Sequence, residues 1–374
     1  MVSLARKNLL HDRLRFVITV AGVAFAVTLV LVQVGLFMGL LDKATVTIQN
    51  ANADIWVTSK ETPNVDFAHT FPETRVLRVR GVPGVERADN LIVQFMNIQL
   101  PSGAEEGCLV YALEDFAVWD LPWSVEGGEV RDLRRGANVL MDASAERRFG
   151  VFDVGEHREI FGKRFRIIGK THGAVSFTTT PIVFMDYRNA QELHQSLPGR
   201  TQYILVKLAP GADAQAVKAA IRERLPFNDV YTKDEWAARS RTYWVVSTGL
   251  GMNMGVTVFL GILVGIVVVA QTLYTSAVEH VKEFGTVKAI GGSNWDIYRI
   301  LGEQALIAAV VGYAIGGVMS MAMRPAMAKL YLNVLISPQF AAAVFVGTLL
   351  MCLGAAMLSF RRVAGIDPAL VFRT

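Results

Sequence analysis

Long uncharged stretches alternate with polar stretches along this chain. Four runs of 20 to 37 residues contain no Asp, Glu, Lys or Arg. About 20 apolar residues are enough for a helix to cross the hydrocarbon core of a bilayer, and each run reaches that length. The pattern therefore predicts four transmembrane helices, at 16–41, 242–277, 301–323 and 338–360.

The second run is longer than a bilayer requires. Its 37 residues, from Thr242 to Val278, would extend about 55 Å as one helix at about 1.5 Å per residue, against a hydrocarbon core of about 30 Å. We expect the excess to project from the membrane as a stalk. We also expect the first helix to stay helical beyond Asp42.

The distribution of Lys and Arg predicts the orientation in the membrane. Ten of them lie in 1–15, 278–300 and 361–374, against two in the short loop 324–337. Short loops rich in Lys and Arg stay in the cytoplasm. Both termini, including an amphipathic helix at 1–15, and the loop 278–300 are therefore predicted to be cytoplasmic. The block 42–241 then lies outside.

The outside block has a mixed pattern that predicts an α+β domain. "NVLMDASAERRFG" (138–150) reads as a strand, a helix capped by Asp142 or Ser144, and a stop at Gly150. We expect two α+β lobes of about 100 residues each. The chain has two cysteines, Cys108 in this block and Cys352 in the last span. They cannot pair, so no disulfide framework is expected.

The polar residues indicate no catalytic, nucleotide or metal site. Gly169-Lys170-Thr171 resembles part of a phosphate loop, but the motif needs glycine at position 164, which is Arg164. The six histidines are scattered without metal-binding spacing. The net charge of +4 is explained by membrane orientation, and no basic stripe with interleaved aromatic residues indicates a nucleic-acid partner.

Glycines four residues apart recur in the predicted spans. Such small-xxx-small spacing lets membrane helices approach each other closely. Packing within the chain and a seam between two copies both explain it, and the first is favoured. The candidate packing residues are Gly35, Gly39, Gly261, Gly265, Gly312 and Gly316, and Gly251 and Gly255 share the spacing.

The loop 278–300 carries a short amphipathic pattern between two apolar spans. Its apolar residues recur every three positions, which predicts one apolar stripe on a helix. Gly291 and Gly292 end that helix. Ser293 and Asp296 then form a capping box that starts the third span. A rigid helix between two membrane helices is the interpretation, and an amphipathic helix lying on the lipid surface is the alternative.

Glu303 is an acidic residue at the cytoplasmic end of the third span. Two roles are open for it. Its charge can stabilise the positive N-terminal end of the helix, or it can make a functional contact inside the bundle.

Taken in order, these segments resemble the FtsX/MacB-type ABC-transporter permeases, and most closely their DevC-like subgroup. The resemblance rests on the start "SLARKNLLHDRLRF", the stretch "NVLMDASAERRFGVFDVGEHREIFGKRFRIIGK", the loop "EHVKEFGTVKAIGGSNWDIYRILGEQAL" with Glu303, and the ending "RRVAGIDPALVFR". Unlike MacB itself, this chain has no fused ATPase domain, which places the ATPase on a separate polypeptide.

The resemblance implies a permease in a bacterial inner membrane, with no cofactor of its own. Two copies would form a homodimer with two ABC ATPase subunits, which bind ATP and Mg²⁺. A periplasmic adaptor protein and a TolC-like outer-membrane channel are further implied partners, besides membrane lipids. Cargo would be lipid-like or otherwise hydrophobic, and it need not cross the four helices. Motion transmitted to the periplasmic domain would drive its export.

The resemblance also assigns a role to the loop at 278–300, as the coupling helix that docks into a groove of the ATPase. Phe284 and Ile290 would be the anchors, and Glu283 and Lys288 would pair at the rim. The predicted coupling residues are Val281, Glu283, Phe284, Val287, Lys288, Ile290, Gly291 and Gly292.

Other functions stay open at this point. Within the family, a permease that releases lipoproteins or activates a peptidoglycan hydrolase is the alternative. A membrane sensor would need an output domain, which the 14 residues after Phe360 are too few to form. An integral membrane enzyme is disfavoured because polar motifs are missing from the spans.

The docking role of the loop leads to a first prediction. Replacing the anchor, as Phe284→Asp, puts a charge where an apolar contact is expected. Transport should be uncoupled and co-purification of the ATPase weakened, while membrane insertion stays unchanged. Co-purification and transport are the measurements, and undiminished values of both would refute the docking role.

Overall fold

The computed structural model describes residues 13–178, 180–279, 286, 293–330 and 332–363. These residues form two compact units. One, called the bundle here, comprises the described residues up to Gly39 and from Gly251 onward. The other, Leu40–Leu250, is called the α+β domain.

The secondary structure follows the alternation of apolar runs and mixed segments. The α-helices, in chain order, are α1 (Arg13–Lys43), α2 (Val46–Asn50), α3 (Arg75–Arg80), α4 (Glu146–Phe149), α5 (Tyr187–Leu193), α6 (Ala214–Arg224), α7 (Lys233–Thr242), α8 (Leu250–Glu279), α9 (Asn294–Ala328) and α10 (Pro338–Val363). The strands are β1 (Ile55–Ser59), β2 (Phe71–Pro72), β3 (Val85–Gln99), β4 (Glu105–Leu113), β5 (Val125–Gly127), β6 (Asn138–Asp142), β7 (His157–Ile160), β8 (Lys163–Thr171), β9 (Ile182–Asp186), β10 (Arg200–Thr201), β11 (Tyr203–Leu208) and β12 (Asn228–Thr232).

Four of these helices are long and apolar enough to cross a membrane, namely α1, α8, α9 and α10. The predicted fold class, four such helices with an α+β domain inserted after the first, is confirmed. The helix of the third span begins at Asn294, directly after Ser293, which caps it. The Ser293 side chain accepts from the Asp296 N–H, and Asp296 Oδ2 accepts from the Ser293 N–H at 2.8 Å. This is the predicted capping box.

The second apolar run, treated above as one helix of 37 residues, is interrupted near its start. Helix α7 ends at Thr242, a π-helical turn covers Tyr243–Ser247, and α8 starts only at Leu250. Between them Gly249 has a φ of +71°. Glycine adopts this left-handed conformation at low cost, and it interrupts the helical hydrogen bonds there.

Helix α1 extends only one residue beyond Asp42, to Lys43. The Thr45 N–H then bonds to the Asp42 carbonyl at 3.1 Å, closing a turn before the short helix α2. The chain therefore stays helical past Asp42 by one residue and becomes helical again in α2 after a short turn.

The α+β domain contains a ten-stranded sheet, and β2 and β10 pair in a second, two-stranded sheet; the division into two lobes stays a prediction. The larger sheet organises the domain. Its order is β12-β1-β11-β3-β4-β9-β6-β8-β5, with β7 paired to β3 and β8. Most neighbours are antiparallel, but β4 pairs with β9 and β6 with β8 in parallel. The 15-residue strand β3 pairs with β11, β4 and β7, and so joins both halves of the sheet.

Both faces of the ten-stranded sheet carry buried side chains. Side chains alternate along β3: Leu91 and Val93 belong to one core cluster and Ile92 to another. One face carries a single core around Trp56, Trp119 and Trp236. The opposite face carries two separate cores. The side chains on that face thus pack in two groups, while the strands of the sheet stay hydrogen-bonded to one another throughout.

Local predictions in this domain hold. Strand β6 ends at Asp142, whose side chain accepts from the Ser144 N–H and caps the following turn. Gly150, with a φ of +78°, ends helix α4. The same Asp142 carboxylate accepts from the Thr171 hydroxyl at 3.1 Å and the Ala174 N–H at 2.7 Å. A residue chosen by local capping rules therefore also ties β6 to β8 and the following loop.

Asp66 is an acidic side chain buried in this domain, only 4% exposed. Its Oδ2 atom has no hydrogen-bond partner within the described residues. Burial raises the pKa of Asp66 to about 7, although a hydrogen bond from the Phe177 backbone opposes this rise. The folded state therefore favours the protonated carboxyl.

The second prediction concerns the pH dependence of stability. In the unfolded chain the Asp66 pKa returns to about 3.9. The unfolded carboxyl then loses its proton first as pH rises, so the folded protein loses stability between about pH 4 and 7 and no further above. Asp66→Asn should remove this loss and be more stable than the wild type by on the order of 2–4 kcal/mol at pH 8. The difference should vanish below pH 4.

Thermal unfolding of the full-length protein, followed by the fluorescence of the buried Trp56, Trp119 and Trp236, measures this difference. Asp234→Asn is the matched control, because Asp234 is exposed in the same domain. A wild-type pH profile that Asp66→Asn leaves unchanged would show that the Asp66 carboxyl does not titrate as stated.

Candidate functional site

The predicted coupling residues lie outside the described residues. They are Val281, Glu283, Phe284, Val287, Lys288, Ile290, Gly291 and Gly292. The described chain reaches Glu279 at the end of α8 and resumes fully at Ser293, which caps α9. The helices on either side of this segment, α8 and α9, are described.

An ion pair joins α1 to α8 next to that segment. Arg15 Nη2 on α1 contacts Glu279 Oε1 on α8, with side-chain exposures of 28% and 50%. Because both groups are partly exposed, the pair contributes about 1 kcal/mol or less. The pair adds little stability, but it shows that the first residues of α1 lie next to the last residue of α8. Sequence reasoning missed this pair, because the partners are 264 positions apart.

Glu303 is not the residue that complements the start of its helix. Helix α9 begins at Asn294, and Asp296 is the acidic residue in its first turn. Glu303 lies farther along and pairs with Arg299, with 3.5 Å between Arg299 Nε and Glu303 Oε1. Of the two roles left open for Glu303, the charge at the helix N-terminal end therefore belongs to Asp296.

Gly312 and Gly316 place α9 directly against α1. A methyl group at Gly312 would lie 2.6 Å from Val23 Cγ1. One at Gly316 would lie 2.8 Å from the Ala24 carbonyl oxygen and 2.9 Å from Val27 Cβ. Carbon atoms do not approach this closely, so only glycine permits the observed distance between the helices.

The other two predicted glycine pairs also lie at contacts within the chain. A methyl group at Gly261 would lie 2.9 Å from Leu29, and one at Gly265 would lie 2.8 Å from Met351 Sδ. At Gly35 it would lie 2.7 Å from Val334, and Gly39 abuts the Asn333 carbonyl. By contrast, Gly255 has no atom near this position. Each of the six predicted glycines therefore packs against another residue of the same chain.

Sequence reasoning missed a further close contact, at Gly22 of α1. A methyl group there would collide with Val268 of α8. Ala26, four residues on, would lie 3.1 Å from a methyl group at Gly265. Gly22 and Ala26 form a small-xxx-small pair, so a search that counted alanine as well as glycine would have found it.

Hydrogen bonds between helices supplement the glycine contacts. Within the bundle, the Thr28 hydroxyl donates to the Gly316 carbonyl at 3.2 Å. The Tyr313 hydroxyl donates to the Ala341 carbonyl at 2.9 Å, joining α9 to α10. The Ser359 hydroxyl donates to the Ala270 carbonyl at 2.8 Å, joining α10 to α8. In a membrane such bonds contribute about 0.6 to 2 kcal/mol each. All four helices are thereby connected.

An apolar groove of about 770 Å³ runs between α1 and α9. None of its lining residues is charged, and Thr28 and Gln33 are the polar ones among them. Such a lining can accept hydrocarbon, but it offers no acid, base or nucleophile. The lining residues include Val17, Val20, Phe25, Leu29, Val311, Ile315 and Met319.

The described residues of the α+β domain also lack an evident catalytic centre. Gly169-Lys170-Thr171 lies within the extended strand β8, where Gly169 pairs with Gly127. A phosphate loop needs a turn leading into a helix, so this segment cannot cradle phosphate. Among the described residues, no group of three or more His, Cys, Asp or Glu side chains could hold a metal ion.

Comparisons with known proteins match both parts of the chain. The family profile of the MacB-like periplasmic core domain matches residues 16–224, and that of the FtsX-like permease C-terminal matches residues 255–368. Together these two profiles span most of the sequence.

Two similar relatives cover most or all of their own length. An uncharacterized ABC transporter permease of Mycobacterium tuberculosis is 24% identical over 377 residues, covering 100% of this chain and 99% of its own. An uncharacterized ABC transporter permease of Methanocaldococcus jannaschii is 22% identical, covering 84% and 82% respectively.

Among solved structures, the periplasmic region of MacB from Actinobacillus actinomycetemcomitans is similar. It has 11% sequence identity and a TM-score of 0.40, and the match covers 50% of this chain and 92% of that one. The extracellular domain of the transporter YknZ from Gram-positive bacteria matches with 13% identity and a TM-score of 0.36, covering 48% and 98%.

The third prediction compares two neighbouring glycines of α9. Gly316→Ala inserts a methyl group against Ala24 and Val27, and should destabilise the bundle by about 1–3 kcal/mol. Gly317→Ala is the matched control, because nothing lies within 4 Å of its added methyl group. It should be neutral or slightly stabilising. Unfolding in mixed SDS micelles measures both, and equal effects would contradict close packing at Gly316.

Proposed function

Because this chain belongs to the MacB/FtsX family of ABC transporter permeases, we propose that it is the permease subunit of an exporter. In this proposal a separate ABC ATPase hydrolyses ATP, and the permease transmits the resulting motion to its α+β domain. The protein is a multi-pass membrane protein. We place it in a bacterial inner membrane with both termini in the cytoplasm and the α+β domain in the periplasm.

The observation that carries this proposal is the way α1 is held. It runs without a break from Arg13 to Lys43. Gly312 and Gly316 bring α9 against it, and Arg15 ties it to α8 through Glu279. A packed helix resists bending, so displacement at one end reaches the other.

The chemistry of the chain supports assigning ATP hydrolysis to a partner. The phosphate-loop fragment at Gly169 is part of strand β8, and phosphate binding requires a loop at a helix N-terminus. The loop 278–300 is the segment proposed to receive the ATPase. This assignment rests on its amphipathic pattern and on the family.

The remaining partners follow from the same family. We propose a homodimer of this chain that engages a periplasmic adaptor protein through the α+β domain, with a TolC-like outer-membrane channel beyond it. The cargo is lipid-like or otherwise hydrophobic. The uncharged groove between α1 and α9, with about 770 Å³ of space, suits hydrocarbon chains and supports this class.

The fourth prediction tests transmission of motion directly. Ser102 lies exposed in the β3–β4 turn of the α+β domain, whereas the two native cysteines, Cys108 and Cys352, are buried. A spin label on Ser102→Cys therefore reports on this domain, and a homodimer supplies two labels. With the partner ATPase reconstituted in nanodiscs, ATP and Mg²⁺ should shift the distance distribution between the labels.

Two controls separate transmission from nucleotide binding alone. An ATPase subunit lacking its catalytic carboxylate should trap one distance, and Phe284→Asp in the permease should abolish the shift. The permease purified free of ATPase should hydrolyse no ATP. An unchanged distance distribution during continuous ATP hydrolysis by the wild-type complex would refute mechanical transmission to the α+β domain.

A further inference from the structure

The apolar groove between α1 and α9 ends beside a charged residue. Its lining contains no charge. Four residues of α9 contribute to it at intervals of four positions, and these are Val311, Ile315, Met319 and Met323. The last of them, Met323, is followed directly by Arg324. A guanidinium group therefore comes directly after an uncharged surface.

The helical repeat places Arg324 on the side of α9 that faces α1. The residue after each of the first three lining residues is buried, at Gly312, Gly316 and Ser320. Gly312 and Gly316 lie against Val23 and Ala24 of α1. Residues four positions apart lie one above the other on a helix. Arg324 is the next position of this series, so it lies toward α1 at the end of the groove.

Arg324 has no partner among the residues that the structure describes. Its side chain is partly buried, and its buried Nε atom has no hydrogen-bond partner. The carboxylates in the described part of the bundle are Glu279, Asp296 and Glu303. They lie at the end of α8 and near the start of α9. From Glu303 to Arg324 the axis of α9 extends about 30 Å, so none of these carboxylates compensates the charge of Arg324.

The groove is open to the surroundings of the bundle. Phe25 of α1 and Ile315 and Met319 of α9 line it and are exposed. They belong to helices that are long and apolar enough to cross a membrane. The lining extends along α1 from Phe16 to Gln33, which is about 26 Å at about 1.5 Å per residue. The groove thus spans most of a hydrocarbon core of about 30 Å.

A second copy of this chain would not compensate Arg324. The two copies of a symmetric dimer in one membrane have the same orientation, so the same ends of their helices meet. The described residues at this end of the bundle include Arg324 and Lys329 and no carboxylate. A second copy would therefore add positive charge beside Arg324. A lipid with an anionic head group brings the opposite charge, together with acyl chains that match the apolar lining.

We infer that the groove binds an anionic phospholipid, with one acyl chain along Ile315 and Met319 and the phosphate on Arg324. A guanidinium group can donate two parallel hydrogen bonds to the oxygens of one phosphate. A charged side chain beside hydrocarbon is costly, and pairing with the phosphate offsets that cost. This inference rests on the membrane location proposed above and does not depend on ATP-driven export.

The test uses the full-length protein, purified without the ATPase and delipidated in detergent, with phosphatidylglycerol as the probe. Native mass spectrometry should show saturable binding of one phosphatidylglycerol per chain. Phosphatidylcholine with the same acyl chains carries no net charge and should bind more weakly. Arg324→Gln should weaken binding of phosphatidylglycerol by roughly tenfold or more, because it removes the charge-assisted hydrogen bonds.

Lys329→Gln is the matched control for charge. It removes the same charge from the same end of α9, but Lys329 is exposed and lies outside the series that faces α1. This variant should bind phosphatidylglycerol as the wild type does. Equal losses in Lys329→Gln and Arg324→Gln would show that any positive charge there attracts the lipid, and would overturn the assignment to Arg324.

A second pair of variants tests whether the acyl chain lies in the groove. Ile315→Trp fills part of the groove and should weaken binding of phosphatidylglycerol severalfold. Val318→Trp is its control, because Val318 is exposed on α9 and does not line the groove.

The same spectra count the copies of the protein. If Ile315→Trp dissociates a dimer and leaves lipid binding unchanged, the groove holds a second copy and the inference is overturned. It is equally overturned if the wild type binds no phosphatidylglycerol saturably. Either result leaves the export proposal to be decided by the distance between the spin labels.

Discussion

The close approach of α1 to its neighbouring helices is the contact on which the bundle depends. In a membrane the surrounding lipid is as apolar as the side chains, so burial of apolar surface does not drive helices together. Association depends instead on van der Waals contact and on hydrogen bonds between helices. Glycines at positions 261, 265, 312 and 316 allow side chains of α1, or its backbone, to reach the facing helix.

Helix α1 is therefore held by contacts on several sides. It contacts α8 and α9, and its Gly35 carbonyl accepts from the Leu335 N–H in the segment before α10, at 2.9 Å. The same helix continues to Lys43. A permease that works by transmitting motion needs such a member, stiff along its length and held on several sides. Helix α8 differs from α1 in this respect, because the turn at Gly249 separates it from the preceding helical residues.

The α+β domain is stabilised by a different force, the burial of both faces of one sheet. Central strands such as β4 and β9 are buried along nearly their whole length. At their carboxyl ends the burial stops and polar groups gather, which is where a polar cleft lined by Glu114 and Asp186 forms. A domain with this much buried surface can hold the unpaired Oδ1 acceptor of Asn90, because its cost is small beside the burial of the core.

Local patterns in the sequence determined the four membrane helices, the capping box of Ser293 and Asp296, and the strand, cap and stop from Asn138 to Gly150. Each depends on residues within one helix or one turn, so spacing along the chain suffices to predict it. The small-xxx-small pairs also marked real contact points, because glycine has no side chain to keep a neighbour away.

Only the tertiary structure decided which surfaces those residues meet. The partner of Arg15 is 264 positions away, and no local pattern identifies it. The single sheet depends on β3 pairing with strands from both ends of the domain, a choice set by long-range hydrogen bonds. The cleft has no sequence signal at all, since Glu114 and Asp186 come to line one cleft only when β4 and β9 pair in parallel.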